Sequence, residues 1–472
     1  MTSSTAKKRK PTVVVAGSTG FIGTALATKL EKKFHLVGLT RSARASIPNY
    51  AEVRQIDLFS SGDAEKGLQG ADYAIYLVHS MMPAASLVQA SFRDLDLLCA
   101  DNFAKAAAKQ GVQHIIYVGG IQPEESDKSE HLESRVEVER VLESYGVPVT
   151  TLRAGLIVGG NGSSFQILRR LILRLPLMLC PSWTNTRTNP VALPDVIWAI
   201  SHVLNQPGTT SHAYDLGGPV PLTYKELMAT TARVMGKKRR FIQVPLVTPN
   251  LSRLWVSLVT GAPKALVAPL ISSLRHEMIA RDDPKYRLPN EPQTPIEETL
   301  SVALKDSQTK KSEPRAFQSA RSTPSRPKVL SVQRMVLPQG ASATWAAEAY
   351  MRWLPHAFNG LVPISVHQEN STIEFRLFKS GPILLCLERR SIEGPDERRV
   401  FRIGEGILAL HSPRGRMEFR QVLDGRTLIV AIHEFIPRLP WWIYRVSQAV
   451  FHSWIMRDFA RYLAAHAPID QK

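Results

Sequence analysis

The stretch Thr12-Val13-Val14-Val15-Ala16-Gly17-Ser18-Thr19-Gly20-Phe21-Ile22-Gly23 decides the fold. Its first five residues are β-branched or small and read as a short buried strand. Three glycines at three-residue spacing follow, and then a helical pattern from Thr24 to Lys33. Gly17 permits a tight turn, Gly20 lets the backbone approach a ligand, and Gly23 allows a helix to pack closely on the strand. Amides at the start of such a helix bind a diphosphate. Strand before, helix after: that context raises the glycine spacing above a bare turn.

Working outward, four more strands are predicted. They run from His35 to Leu39, Val53 to Ile56, Ala71 to Val78 and Val112 to Val118, with helical stretches between, including Ser91 to Gln110. Strands alternating with helices of this length predict βα units on a parallel sheet, the Rossmann arrangement. The second strand ends in Thr40-Arg41, with Ser42, Arg44 and Ser46 beyond and no carboxylate nearby. An Asp or Glu there would bind both ribose hydroxyls of NAD; Arg41, assisted by Arg44, suits a 2′-phosphate, so NADPH/NADP+ is the expected cofactor. Asp57, followed by Leu58, is positioned to accept from the adenine amino group. The predicted cofactor site is therefore Gly17, Thr19, Gly20, Phe21, Ile22, Gly23, Arg41, Asp57 and Leu58.

The glycine motif, Asp57-Leu58, the stretch from Gly146-Val147-Pro148-Val149 to Arg153, and Tyr214-Asp215-Leu216-Gly217-Gly218-Pro219 together resemble the short-chain dehydrogenase/reductase superfamily, in its extended-like, atypical branch. The resemblance covers roughly residues 11 to 300, and the remainder resembles a domain that follows such reductases in some bacterial proteins. It implies a catalytic Ser after the fifth strand and a Tyr-x-x-x-Lys pair on the next helix. This chain departs from that pattern. The strand ends in Gly119-Gly120, and His131 and Arg135 stand four apart where Tyr and Lys belong. His131 as a general acid with Arg135 holding cofactor, an acceptor needing little proton donation, and cofactor binding without catalysis all remain open. His79 and Ser80, at the carboxyl end of the fourth strand, form a second candidate pair.

The expected substrate lobe is apolar between Phe241 and Leu274, with Leu251, Leu254, Trp255, Leu258, Leu266 and Leu270. Such a wall favours a hydrophobic small molecule or a quinone-like acceptor over a nucleotide sugar. Asp195 is expected to cap a helix from Val196 to Leu204 and to be structural. The expected function is an NADPH-dependent oxidoreductase passing hydride to a hydrophobic carbonyl, quinone or activated double bond. The alternatives are a noncatalytic NADP(H)-binding redox sensor or scaffold, and a nucleotide-retaining epimerase or dehydratase.

The chain's 472 residues exceed one typical domain of ~150 several-fold. We expect a basic tail over 1–10, the Rossmann domain with its lobe over 11–304, a basic flexible linker over 305–330, and an α+β domain over 331–468. Lys305 to Lys328 carries seven basic and two acidic residues with five Ser and three Pro, a linker's composition. Several antiparallel strands and one long terminal helix are compatible with a helix-grip fold; His411, His433 and Glu434 are its polar candidates. The net charge of +18 suits an anionic partner, yet no aromatic-interleaved basic face marks a nucleic-acid module. Three scattered cysteines and no clustered ligands predict neither disulfides nor a metal. No apolar run of spanning length occurs, which predicts a cytoplasmic chain. The pattern from Leu439 to Ala465, opened by Trp441-Trp442, reads as a helix packed on its own sheet, with peripheral membrane contact as the alternative.

Overall fold

A computed structural model describes residues 9–42, 46–79, 87–123, 129–244, 256–309, 329–357, 364–367, 372–376, 381–389, 397–423 and 425–466. The chain divides into two compact units, Met1–Met82 with Cys99–Ser319, and Pro83–Leu98 with Ala320–Lys472.

The first unit is built on a seven-stranded sheet. Its order is His212–Leu216, Val149–Ala154, His114–Gly120, Tyr73–Tyr76, Thr12–Ala16, His35–Thr40 and Glu52–Gln55. All six pairings are parallel. The strand order reverses direction between Thr12–Ala16 and Tyr73–Tyr76, and open α/β sheets take ligands at the carboxyl end of such a switch point. Thr12–Ala16 is wholly buried, so its side chains feed both faces of the sheet. On one face Val13, Val15, Leu26, Leu30 and Val196 share a core.

Beyond the sheet, helices Ser163–Arg174, Tyr224–Val234 and Lys264–Ser273 form the lobe. A charged clasp holds its connecting segments. Asp215, 1% exposed, accepts from Arg281 Nε at 2.7 Å and Arg281 Nη2 at 2.8 Å. The Arg281 guanidinium stacks 3.3 Å from the centre of the Tyr286 ring. Asp195 is structural but is not the helix cap expected: the helix starts at Leu193, with Ala192 at its N-cap. The Asp195 carboxylate instead accepts from the Thr294 amide at 3.0 Å and the Thr294 hydroxyl at 2.8 Å. Pro194 in the first turn needs no amide partner, which lets the helix begin before the acid.

The second unit carries the other large sheet. Strands Ile364–His367, Thr372–Arg376, Ile383–Arg389, Arg398–Ile403, Arg416–Val422, Thr427–Pro437 and Val329–Val336 follow one another antiparallel. The short strand Leu87–Gln89 then adds to the edge, parallel to Val329–Ser331. Helices Ala343–Trp353 and Gln448–Ala465 lie against the sheet through Tyr350, Phe419 and Phe459, whose rings meet at 5.0–6.5 Å. The terminal helical pattern is broken rather than continuous: Trp441–Val446 and Gln448–Ala465 are separate helices joined at Ser447, whose φ of −117° and ψ of −83° are not helical. Ile455, Phe459 and Leu463 are buried as their spacing predicts, but Phe451 is exposed.

His433 and Glu434 serve the sheet. His433 Nε2 lies 3.4 Å from Glu418, which is also clasped by Arg398 and Arg420. Burial, reinforced by Arg416 and Arg420, pushes His433 down to about 4 against the pull of Glu418. Burial would raise Glu418, but Arg420, His433 and Arg398 hold it well below the usual carboxylate range. Glu434 sits 3.9 Å from Arg414, and the half-exposed His411 sits 3.5 Å from Glu405.

Candidate functional site

The glycine turn forms as its sequence requires. Gly17 has φ +89°, and a Cβ there would approach Leu77 to 3.0 Å. A Cβ on Gly23 would lie 2.5 Å from the Gly17 carbonyl oxygen, so helix Phe21–Leu30 crosses the turn only because Gly23 is bare. Gly20 is the N-cap, with no capping side chain and no acid in the first turn. The amides there keep their attraction for an anion.

This turn floors a cleft of about 260 Å³. Gly17, Thr19, Gly20, Arg41, Asp57 and Leu58 all line it. Arg41 is exposed at the end of the second strand, and its carbonyl accepts from Gln55 Nε2 at 3.3 Å. Asp57 Oδ1 accepts from the Phe59 amide at 3.2 Å, which orients the carboxylate in its loop. Arg44 lies outside the described residues. A bare glycine floor, an uncapped helix start and an Arg at the rim fit a dinucleotide carrying phosphate on its ribose. Phe21 and Ile22, grouped with the cofactor residues by sequence, open the helix after the glycine turn and also line the neighbouring chamber.

That chamber has a volume of about 380 Å³. Leu77 and His79 line both spaces. Its wall is mainly apolar, with Phe21, Leu156, Leu171, Trp183, Val267 and Ile271, but His79, His131, Arg135, Ser163, Ser164 and Tyr224 also line it. Of the apolar residues expected to form this wall, Leu270 lines it, Leu258 is 79% exposed, and Leu251, Leu254 and Trp255 lie outside the described residues, as does Ser80.

The two candidate histidines meet here. His79 Nε2 stands 3.2 Å from His131 Nε2. His131 Nδ1 stands 3.0 Å from Ser273 Oγ, which also touches Ser129 Oγ at 3.1 Å and donates to the Pro269 carbonyl at 3.0 Å. The Ser273 hydroxyl has one hydrogen and three neighbours, Pro269, Ser129 and His131, and in the His79–His131 contact one ring nitrogen donates and the other accepts. Ser129 caps helix Glu130–Glu143 by accepting from the Leu132 amide, which sets His131 in the first turn.

Arg135, one turn on, also lines the chamber. Burial brings it down to about 10, with the Tyr76 hydroxyl opposing, so it stays protonated at neutral pH. The absent catalytic Ser has a steric counterpart: a Cβ on Gly119 would lie 2.9 Å from the buried Tyr117 ring. Sequence reading missed Ser273, Trp183 and Tyr224. Burial pushes the Tyr224 hydroxyl up to about 12, partly offset by the Thr188 hydroxyl. None of the three lies in a motif, and Ser273 is 142 residues from His131, beyond any local spacing signal. Among the described residues, no three of His, Cys, Asp or Glu come together to hold a metal ion.

Parallel sheet, glycine turn and cleft define an NAD(P)-binding Rossmann protein. The chain belongs to the NmrA-like family, whose model matches residues 9–253. It is 27% identical over 200 residues to the auxiliary protein GraX of Staphylococcus aureus, covering 42% of this chain and 57% of that one. It is 25% identical over 191 residues to the mitochondrial NADH-ubiquinone oxidoreductase 40 kDa subunit of Neurospora crassa, covering 40% and 49%. The match thus spans about half the length of these relatives. In fold it is similar to a triphenylmethane reductase from Citrobacter sp., at TM-score 0.50 and 23% identity over 62% of this chain and 99% of that one. A nucleoside-diphosphate-sugar epimerase from Staphylococcus aureus is similar at TM-score 0.50 and 18% identity, over 61% and 99%.

Proposed function

We propose that this protein is an NADPH-dependent reductase of a hydrophobic acceptor, a carbonyl compound, quinone or activated alkene. One observation carries the reading: an apolar chamber of about 380 Å³ shares Leu77 and His79 with the cleft under the glycine turn. Bound in that cleft, the cofactor would supply hydride from its nicotinamide C4. Gly17, Gly20 and the helix amides hold the diphosphate, Arg41 the 2′-phosphate and Asp57 the adenine amino group. The mainly apolar wall excludes water and orients the acceptor. For a carbonyl acceptor, the His79–His131 pair, once protonated, would give one proton to the acceptor's oxygen, so that hydride at carbon and proton at oxygen make an alcohol; a quinone would take the same two equivalents to a hydroquinone. Arg135, always charged, holds the ribose or polarises the acceptor and does not serve as the acid.

A noncatalytic NADP(H)-responsive protein is the second reading. It is favoured by the replacement of Ser by Gly119 and of Tyr and Lys by His131 and Arg135. Similarity to an auxiliary protein and to one subunit of a larger oxidoreductase agrees with it. Sugar epimerisation is the third reading: His79, His131, Arg135, Ser163, Ser164 and Tyr224 give the chamber directional polar groups, while most of its lining is apolar.

Single-turnover NADPH oxidation at 340 nm separates these readings, with menadione, decyl-ubiquinone, a long-chain enal and UDP-glucose as probes. Oxidation by an apolar probe that His131→Asn suppresses supports the reductase. Tight NADPH binding with no oxidation across the panel favours the noncatalytic reading, and NAD(H) retained through purification with turnover of UDP-glucose favours the epimerase.

A further inference from the structure

The terminal helices carry two apolar faces where one would suffice. Ala449, Ile455, Met456, Phe459 and Leu463 pack into the core of the C-terminal unit. On the other side Trp442 is 71% exposed, Val446 70%, Val450 56%, and Phe451 and Trp454 44% each. Trp442 and Val446 stand one turn apart on the short helix; Val450, Trp454, Arg457 and Arg461 follow one stripe of the long one. The Phe451 and Trp454 rings stack at 6.1 Å. Exposed apolar and aromatic side chains gathered along a helix face mark interaction sites.

Charge says what covers it. From Arg438 to Arg461 the sequence holds four arginines, all exposed, and one acid, Asp458, which lies 3.8 Å from Arg461. The surface is therefore aromatic at one end, flanked by uncompensated cationic heads, the composition that suits the headgroup region of an anionic bilayer. The two helices meet at Ser447, whose backbone is not helical, and both carry exposed apolar side chains. Among the described residues no helix is long and apolar enough to cross a membrane.

We propose that Trp442, Val446, Val450, Phe451 and Trp454, with Arg438, Arg445 and Arg457, form a surface that docks on an anionic lipid bilayer. The aromatic side chains insert at headgroup depth while the guanidinium groups pair with lipid phosphates. This inference is independent of whether the Rossmann unit reduces anything.

The test is co-sedimentation of the full-length protein with vesicles of phosphatidylcholine alone or with about 30 mol% phosphatidylglycerol, read together with Trp emission. Preferential binding to the anionic vesicles with a blue shift is expected. Trp442→Ser with Phe451→Ser and Trp454→Ser should lower binding at least tenfold. Arg445→Glu with Arg457→Glu should lower it similarly, with the circular dichroism spectrum and melting profile of each variant unchanged as proof that the C-terminal unit is folded. The aromatic variant keeps the basic N-terminal tail, so binding that survives it assigns adsorption to the tail and overturns the proposal. Equal binding to both vesicles, no binding, or a concentration-dependent dimer abolished by the same substitutions would also overturn it.

Discussion

His79 Nε2 and His131 Nε2 lie 3.2 Å apart, joined across 52 residues of sequence. One imidazole donates and the other accepts, and Ser273 Oγ stands 3.0 Å from the far nitrogen of His131. The contacts continue from Ser273 Oγ to the Pro269 carbonyl, so the two rings end a hydrogen-bonded chain at the chamber wall. Both rings come to that place by separate routes: one ends a strand, the other opens a helix.

If this pair supplies the proton, His131→Asn should cost about 100-fold in single-turnover rate while leaving NADPH affinity within a factor of about two. Ser273→Ala, a positioning change, should slow the same step less, and Ser273→Thr should restore it. A rate unmoved by His131→Asn would remove the pair from the chemistry.

Arg41→Asp should weaken NADPH binding by about tenfold or more and leave NADH binding equal or better, since only the 2′-phosphate loses a charge-assisted partner. Paired fluorescence titrations decide it. Equal losses would assign Arg41 to the rim of the cleft with no contact to the phosphate.

Gly23→Val should abolish cofactor binding and lower the melting temperature of the Rossmann unit. Its side chain would be driven into the Gly17 carbonyl, 2.5 Å from the position of a Cβ. Gly17→Val adds a left-handed backbone penalty of about 1–3 kcal/mol to a contact with Leu77. Calorimetry with and without NADPH measures both effects.

Asp215→Asn leaves Arg281 without its two-point partner. We expect a loss of about 2 kcal/mol in chemical denaturation, with the substrate lobe opening before the sheet. Hydrogen exchange around residues 278–288 should rise first.

Acid should destabilise the C-terminal unit from about pH 6.5 downward. His433 is held near 4 in the fold, so below its unfolded value the unfolded chain takes up a proton that the native chain refuses. The loss, on the order of 3 kcal/mol by pH 4, deepens as Glu418, depressed in the fold, is forced to protonate. His433→Gln should remove the first part of the decline; hydrogen exchange in strands Arg416–Val422 and Thr427–Pro437 reads it.

The sequence by itself determined what local physics governs. A β-branched strand, three spaced glycines and a helical run define the dinucleotide turn within twelve residues, and strand-helix alternation then leaves a parallel sheet as the way to bury both faces. Arg41 and Asp57 were legible for the same reason, each sitting at a strand end whose role depends on its neighbours in the chain. Tertiary structure alone decided the rest. No spacing relates His79 to His131 and Ser273, because their approach follows from a sheet and a lobe closing around one chamber. Leu87–Gln89 is too short to show a period, and joins the second sheet through hydrogen bonds offered by Val329–Ser331. The terminal helix has apolar residues on two sides, and periodicity cannot say which side meets the sheet; packing buried Phe459 and Leu463 and left Trp442, Phe451 and Trp454 exposed.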